Sequence, residues 1–186
     1  MFPGRRIAAL VTLVCSVALV GPASASAATS GGGCEGADAQ PGQASQTELA
    51  RSTVCLLNRE RGRRGLHRLT LDARLSSAAR AHTRDMVRRR YFAHVSRSGG
   101  DVVDRLNRVG YMRGASRWLV GENLAWGGGS RSTPRQIMQS WMQSPGHRRN
   151  ILDSRFRELG IGVLANTPAD AGPVSATYTT TFGARS

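Results

Sequence analysis

The chain has 186 residues, is 40% hydrophobic and carries a formal charge of +14 from 26 basic and 12 acidic residues. That length allows one domain with a substantial core and leaves little room for a second. Every basic residue is arginine, and a cationic chain of this kind associates with acidic wall polymers, anionic lipid or nucleic acid, although charge alone does not choose among them.

At the N-terminus, Arg5 and Arg6 precede the apolar run Ile7–Val20, then Gly21-Pro22 and the small residues Ala23–Ala27. A charged start, an apolar centre and a small-residue cleavage site define a secretory signal peptide over residues 1–27, with cleavage after Ala25 or Ala27. The run is too short to span a bilayer comfortably. Cys15 lies within it and lacks small residues just before it, so lipid modification there is not expected. Removing the segment leaves 24 basic and 12 acidic residues, a mature charge of +12.

The exported chain keeps two cysteines, Cys34 and Cys55, which outside the cell most simply form one disulfide. Closing a loop of about 20 residues stabilises by roughly 3 kcal/mol in the chain-entropy picture. There is no Cys-x-x-Cys and hence no redox motif. Residues 28–45 read as a flexible leader with a disulfide-pinned loop, and 46–186 as the folded domain.

Leu49, Thr53, Leu56 and Leu57 repeat at helical spacing over Thr47–Arg61, which Gly62 and Gly65 end. Arg59, Arg61, Arg63, Arg64 and Arg68 cluster there and read as a solvated helix end; no aromatics interleave them, which disfavours nucleic acid. Asp72 caps a second helix, Ala73–Arg90, whose apolar stripe includes His82, a position that suits a packed, hydrogen-bonded histidine. Tyr91 and Phe92 then lead to His94 and a polar turn. Asp101 caps a short helix, Val102–Val109. In Val120–Trp126, Glu122 lies among small and apolar residues, where a carboxylate needs an arginine or backbone amide as partner. Gly127–Gly129 lacks the Lys-Ser/Thr of a phosphate loop and reads as a flexible connection. Thr133-Pro134 starts a fourth helix that reaches Gln143; Pro145-Gly146 then stops it and turns the chain at His147. Leu159–Leu164 and Ser175–Phe182 read as strands joined by an open loop. Helices followed by strands suggest an α+β fold with helices layered on a small antiparallel sheet.

Four segments occur in order: Tyr91–Ser96, Gly121–Ala125, Trp141–Arg148, and Gly160–Val163 followed by a strand ending in Phe182-Gly183. Together they resemble a CAP-superfamily domain, the cysteine-rich secretory protein, antigen and pathogenesis-related (SCP-like) type, of the secreted bacterial branch and most like actinobacterial members. The resemblance covers about Gln46–Gly183. It implies a three-layer α-β-α sandwich with a cavity lined by two histidines and two acids. It places His94, Glu122 and His147 there, with Asn123 beside them. The fourth position carries Met142, Gln143 or Ser144 and no carboxylate, so the set is incomplete. Some members bind divalent metal at the two histidines; others are described as binding sterols or lipids, and a few have been proposed as proteases.

If His94 and His147 converge, they offer imidazole nitrogens to zinc at about 2.0–2.1 Å. Glu122 is then a third ligand, an orienting group or a water-positioning group, or it holds loops together. Serine catalysis lacks a Gly-x-Ser-x-Gly elbow, although Ser96 and Ser144 lie near the histidines in sequence. Cysteine catalysis is disfavoured by the disulfide. The resulting expectation is a secreted, non-enzymatic binding module with no required cofactor. Its cleft takes an extracellular lipid, wall polymer or divalent metal such as zinc. A metal-assisted hydrolase and a cationic polymer-binding surface protein are the alternatives, and no stable membrane span is expected.

Overall fold

The computed structural model describes residues 33–186. The signal peptide expected at 1–27 and the first residues of the expected leader lie outside the described residues. Ten elements follow in order: α1 (Gln46–Gly62), β1 (Thr70–Leu71), α2 (Ala73–Arg88), α3 (Val102–Arg108), β2 (Trp118–Gly128), a 3-10 turn (Gly129–Ser132), α4 (Pro134–Gln143), α5 (Pro145–Leu152), β3 (Glu158–Ala165) and β4 (Ser175–Arg185). Among the described residues, no helix is long and apolar enough to cross a membrane.

The helix starts follow from their caps. Ser45 accepts from the Glu48 amide while Glu48 reaches back to the Ser45 amide, a capping box. Asp72 accepts from Arg74 and Leu75, and Asp101 from Val103 and Asp104. Pro145 changes the reading of the chain after α4. It ends α4 and also opens a new helix, since the first helical position needs no amide hydrogen. His147 is therefore the third residue of α5 and not part of a turn.

The sheet order is β1-β3-β4-β2. The three long strands are antiparallel, as expected, and the two-residue β1 joins β3 in parallel, so the sheet is mixed. Neither β1 nor β2 was anticipated as a strand. β2 pairs along its full length with β4, from Trp118 opposite Arg185 to Gly128 opposite Ser175. The glycines expected to form a flexible connection are structured: Gly127 and Gly128 close the strand, and a Cβ on Gly127 would stand 2.2 Å from the Arg131 carbonyl oxygen.

Strand alternation sorts the layers. Leu159, Ile161 and Val163 of β3, with Tyr178 and Phe182 of β4, pack against α1, α4 and α5 around Leu49, Leu57, Ile137 and Trp141. Each fully buried aliphatic side chain contributes about 1.5–3 kcal/mol relative to exposure. The other face is paved with small residues. Gly160 and Gly162 meet α2 so closely that an added Cβ would lie 2.1 Å from Leu75 and 2.6 Å from Ala79 backbone atoms. Thr83 of α2 donates to Thr179 of β4 at 2.8 Å. A smaller core of Leu75, Ala78, Leu106, Tyr111 and Met112 joins α2 to α3. This is the three-layer α-β-α sandwich expected.

The disulfide Cys34–Cys55 is formed, with a sequence separation of 21. Cys34 and Ala37 are buried in the main core. One member of the arginine cluster departs from the solvated reading: Arg61 is fully buried and donates to the carbonyls of His67, Ile151 and Asp153, closing the end of α5.

Candidate functional site

β2 is an edge strand, and the candidate site is built across that edge. Successive residues point to opposite faces. Glu122 faces α2 and α3, whereas Asn123 faces α5.

On the first side, the Glu122 carboxylate is buried with the Arg105 guanidinium. Arg105 Nη2 donates to Oε1 at 3.0 Å and to Oε2 at 2.8 Å. The same nitrogen donates to the His94 carbonyl at 3.0 Å, and Nη1 donates to the Gly100 carbonyl at 3.1 Å. The arginine partner that burial of Glu122 demands thus comes from α3. The His94 ring lies over the pair, with Nδ1 2.9 Å from Glu122 Oε1. A carboxylate only accepts, so Nδ1 carries the proton and Nε2 is directed away from Glu122. His94 is itself exposed.

His82 completes this side. It is 1% exposed, its Nε2 donates to the Ala93 carbonyl at 3.0 Å, and the same nitrogen is 4.0 Å from Glu122 Oε1. Nδ1 is buried with no partner. Burial pushes its pKa below the usual histidine value, against the opposing pull of Glu122. Together, His82 and Arg105 pin the backbone of Ala93 and His94 from below.

On the second side, Asn123 is fully buried, and its Nδ2 donates to the His147 carbonyl at 3.0 Å. Asn150 Nδ2 donates to the Glu122 carbonyl at 3.1 Å and to Asn123 Oδ1 at 2.9 Å. Trp141 Nε1 donates to the Leu124 carbonyl at 3.0 Å. Side chains of α4 and α5 therefore satisfy two alternate carbonyls along β2. Gly121 makes room for this packing, since a Cβ there would lie 3.0 Å from Phe156 and 3.2 Å from Asn150. The His147 ring is half-buried; burial first, and then the charge of His94, pull its pKa down. His147 is tied to β2 through its carbonyl, which Asn123 holds, whereas His94 meets β2 through its ring on Glu122.

Of the residues singled out in the sequence, His94 and Glu122 meet at the edge of β2, and His147 is held to the same strand by its carbonyl. Asn123 is adjacent, but its amide holds α5 and does not face outward. Arg105, Asn150 and the contact of His82 with Glu122 were not foreseen. The only signal for Arg105 was the unpaired carboxylate at Glu122, which named a residue type and not a position.

Among the described residues, no group of three or more His, Cys, Asp or Glu side chains forms a metal cage. His94 and His147 supply two nitrogens, and Glu122 is shared with Arg105. Ser144 makes no side-chain capping bond at α5, and Ser96 Oγ donates to the Gly100 carbonyl at 2.9 Å, away from either histidine.

The chain belongs to the cysteine-rich secretory protein family, whose model matches residues 54–180. It is thus a CAP-superfamily domain. It is 38% identical over 114 residues to the uncharacterized protein YkwD of Bacillus subtilis, covering 61% of this chain and 42% of that relative. An extracellular protein containing an SCP domain from Bacillus anthracis superposes with a TM-score of 0.61 at 31% identity, over 74% of this chain and 40% of that one. An outer surface protein of Borrelia burgdorferi shares the fold, with a TM-score of 0.64 at 19% identity over 77% of this chain and 97% of its own length. The chain spans less than half the length of the curated relative and of the Bacillus anthracis chain.

Proposed function

We propose that this chain is an exported CAP domain that binds an extracellular ligand in the His94–Glu122–His147 cleft and is not an enzyme. The observation that carries this reading is the engagement of Glu122. Both of its oxygens are held by Arg105, and Oε1 also accepts from His94. A carboxylate held in this way orients an imidazole and is poorly placed to take a proton from water. The fourth acidic position is absent, and neither nearby serine is paired with a histidine. The signal-like N-terminus, the disulfide and the similarity to an extracellular SCP-domain protein support export.

Within this reading, the favoured ligand is an imidazole-seeking divalent cation, zinc above all, bound by His94 Nε2 and His147 with water or a further ligand group completing its shell. A histidine whose other nitrogen donates to a carboxylate has the orientation typical of a metal ligand. Burial favours the neutral form of His147, the form that coordinates. Zinc titration by calorimetry of the mature protein tests this. Micromolar binding that disappears in His94→Ala and in His147→Ala supports it. No binding at micromolar zinc removes the metal and leaves a lipid or wall-polymer ligand.

The carboxylate–histidine arrangement also favours a second reading, a metal-assisted hydrolase. Hydrolysis of peptide or ester substrates that depends on both histidines and on zinc would establish it. Hydrolysis that persists in both variants excludes these histidines as its source.

A further inference from the structure

A second feature lies on the α1–α4–α5 face. Leu56, Met138 and Met142 floor a hollow of about 340 Å³ whose rim carries Arg59, Arg63, Arg64, Arg135 and Arg148, with Glu60 as the one carboxylate in its lining. An adjoining hollow of about 330 Å³ shares Met142 and Arg148 and adds Arg149. The two adjoin at Met142 and Arg148, and the trough they make up is bordered by six arginines.

Three of these guanidiniums are positioned in advance. Glu60 accepts from Arg63 at 2.6 Å and from Arg64 at 2.8 Å. Asp38 accepts from Arg135 Nε at 2.6 Å and Nη2 at 2.8 Å. Each such contact leaves other N–H groups of the fork free to bond. Among the described residues, Arg59, Arg148 and Arg149 form no ion pair, so their charge is uncompensated nearby. Surface pairs of this kind add little stability. Holding three of the six guanidiniums along one trough instead lowers the ordering cost for an anion that meets several at once.

The shape and chemistry of the trough narrow the occupant. Two hollows in series suit a chain better than a compact anion. Guanidinium forks match phosphate oxygens bidentately. No aromatic side chain lines either hollow, so there is no surface on which nucleobases stack. We infer that this trough binds a linear phosphate-bearing polymer without bases, with its phosphates on Arg59, Arg148 and their neighbours. The inference does not depend on metal or ligand binding in the cleft.

Inorganic polyphosphate of about 25 units serves as the probe, with a polyol-phosphate oligomer, a single-stranded oligonucleotide and anionic phospholipid vesicles as the other arms. Binding measured by calorimetry at several salt concentrations has an expected log–log slope of about −3.5 to −4.2, near 0.7 per phosphate for five or six contacts. Arg59→Gln with Arg148→Gln is expected to weaken polyphosphate binding about tenfold or more and to flatten that slope by about 1.4. Arg80→Gln with Arg84→Gln removes the same charge from exposed positions of α2 and is expected to change affinity less than about twofold. All four arginines are exposed, so thermal unfolding should confirm intact folding in both pairs. Polyol-phosphate binding with the same arginine dependence extends the result to organic phosphate chains.

Equal weakening by the two pairs overturns the inference, because net charge alone is then acting. A flat salt dependence, tighter binding of the oligonucleotide, or Arg59/Arg148-dependent capture of vesicles without polyphosphate binding also overturns it. His94→Ala and His147→Ala are expected to leave polyphosphate binding unchanged. Loss there would move the polymer into the cleft and refute the trough. Failure of zinc binding, by contrast, bears only on the cleft.

Discussion

A single nitrogen of Arg105, Nη2, lies within 3.0 Å of both carboxylate oxygens of Glu122, and the two side chains are only 6% and 3% exposed. Removing one partner of such a pair strands a buried charge, at about 3–5 kcal/mol, whereas replacing both by apolar groups of similar volume is often nearly neutral. Arg105→Met should therefore lower the urea midpoint sharply. Arg105→Met combined with Glu122→Leu should recover much of the loss. Additive losses in the double variant would show that the two residues do not act as a pair.

The same contact gives Arg105 a positioning role for His94. Arg105 fixes the His94 carbonyl and, through Glu122, its ring. Arg105→Lys keeps the charge but not the fork. It should retain most of the stability lost in Arg105→Met while weakening zinc binding at His94 several-fold, read by calorimetry. Unchanged zinc affinity would show that the ring is oriented without it.

Acid sensitivity follows from two histidines. The pKa values of His82 and His147 are both lowered in the fold, with burial the leading cause, whereas in the unfolded chain a histidine titrates near about 6.5. Below that pH the unfolded state takes up protons that the folded state refuses. Stability is thus full above about pH 6.5 and declines as pH falls through the lowered folded values. Protonated His82 would carry an Nδ1 hydrogen with no acceptor. Urea midpoints between pH 7.5 and 5 should fall less steeply for His82→Gln than for the parent chain. Parallel curves would remove His82 from the account.

Gly160 is a steric requirement of the α2 interface. A Cβ there would sit 2.1 Å from Leu75 and 2.4 Å from Ser76 backbone atoms, and these cannot swing aside as a side-chain tip can. Gly160→Ala should destabilise by at least the ~1–3 kcal/mol typical of overpacking and should lower soluble yield. Gly146→Ala, where an added Cβ meets nothing within 4 Å, provides the control and should be near neutral in thermal unfolding.

Much of this arrangement was legible in the chain, for physical reasons that differ by element. The four anticipated helices had local signals, namely Asp72, Asp101 and Thr133-Pro134 as caps and a 3.6-residue apolar stripe, and their ends fall within two residues of expectation. β4 was legible because its larger residues alternate with threonines. β2 was not, because Gly121 and Asn123 face Asn150 while Glu122 faces Arg105, and none of the three adds an apolar side chain to an alternating pattern. α5 was not legible because Pro145 both stops one helix and starts the next, and only the stop has a distinctive sequence signal in Pro-Gly. His94, Glu122 and His147 were grouped only through likeness to a family, since more than 50 residues separate the two histidines. Arg105 was beyond reach, since nothing local distinguishes it from the other arginines of a chain without lysine.

The Asn150 and Trp141 contacts to β2 have a consequence outside ligand binding. An edge strand with free carbonyls is a template on which another chain can add a strand and begin aggregation. Here the Asn150 amide and the Trp141 indole occupy the carbonyls of Glu122 and Leu124, standing in for the missing fifth strand. α4 and α5 thereby also guard the sheet against self-association. Solubility alone is thus a reason for this chain to keep Trp141 and Asn150, whatever the cleft residues do.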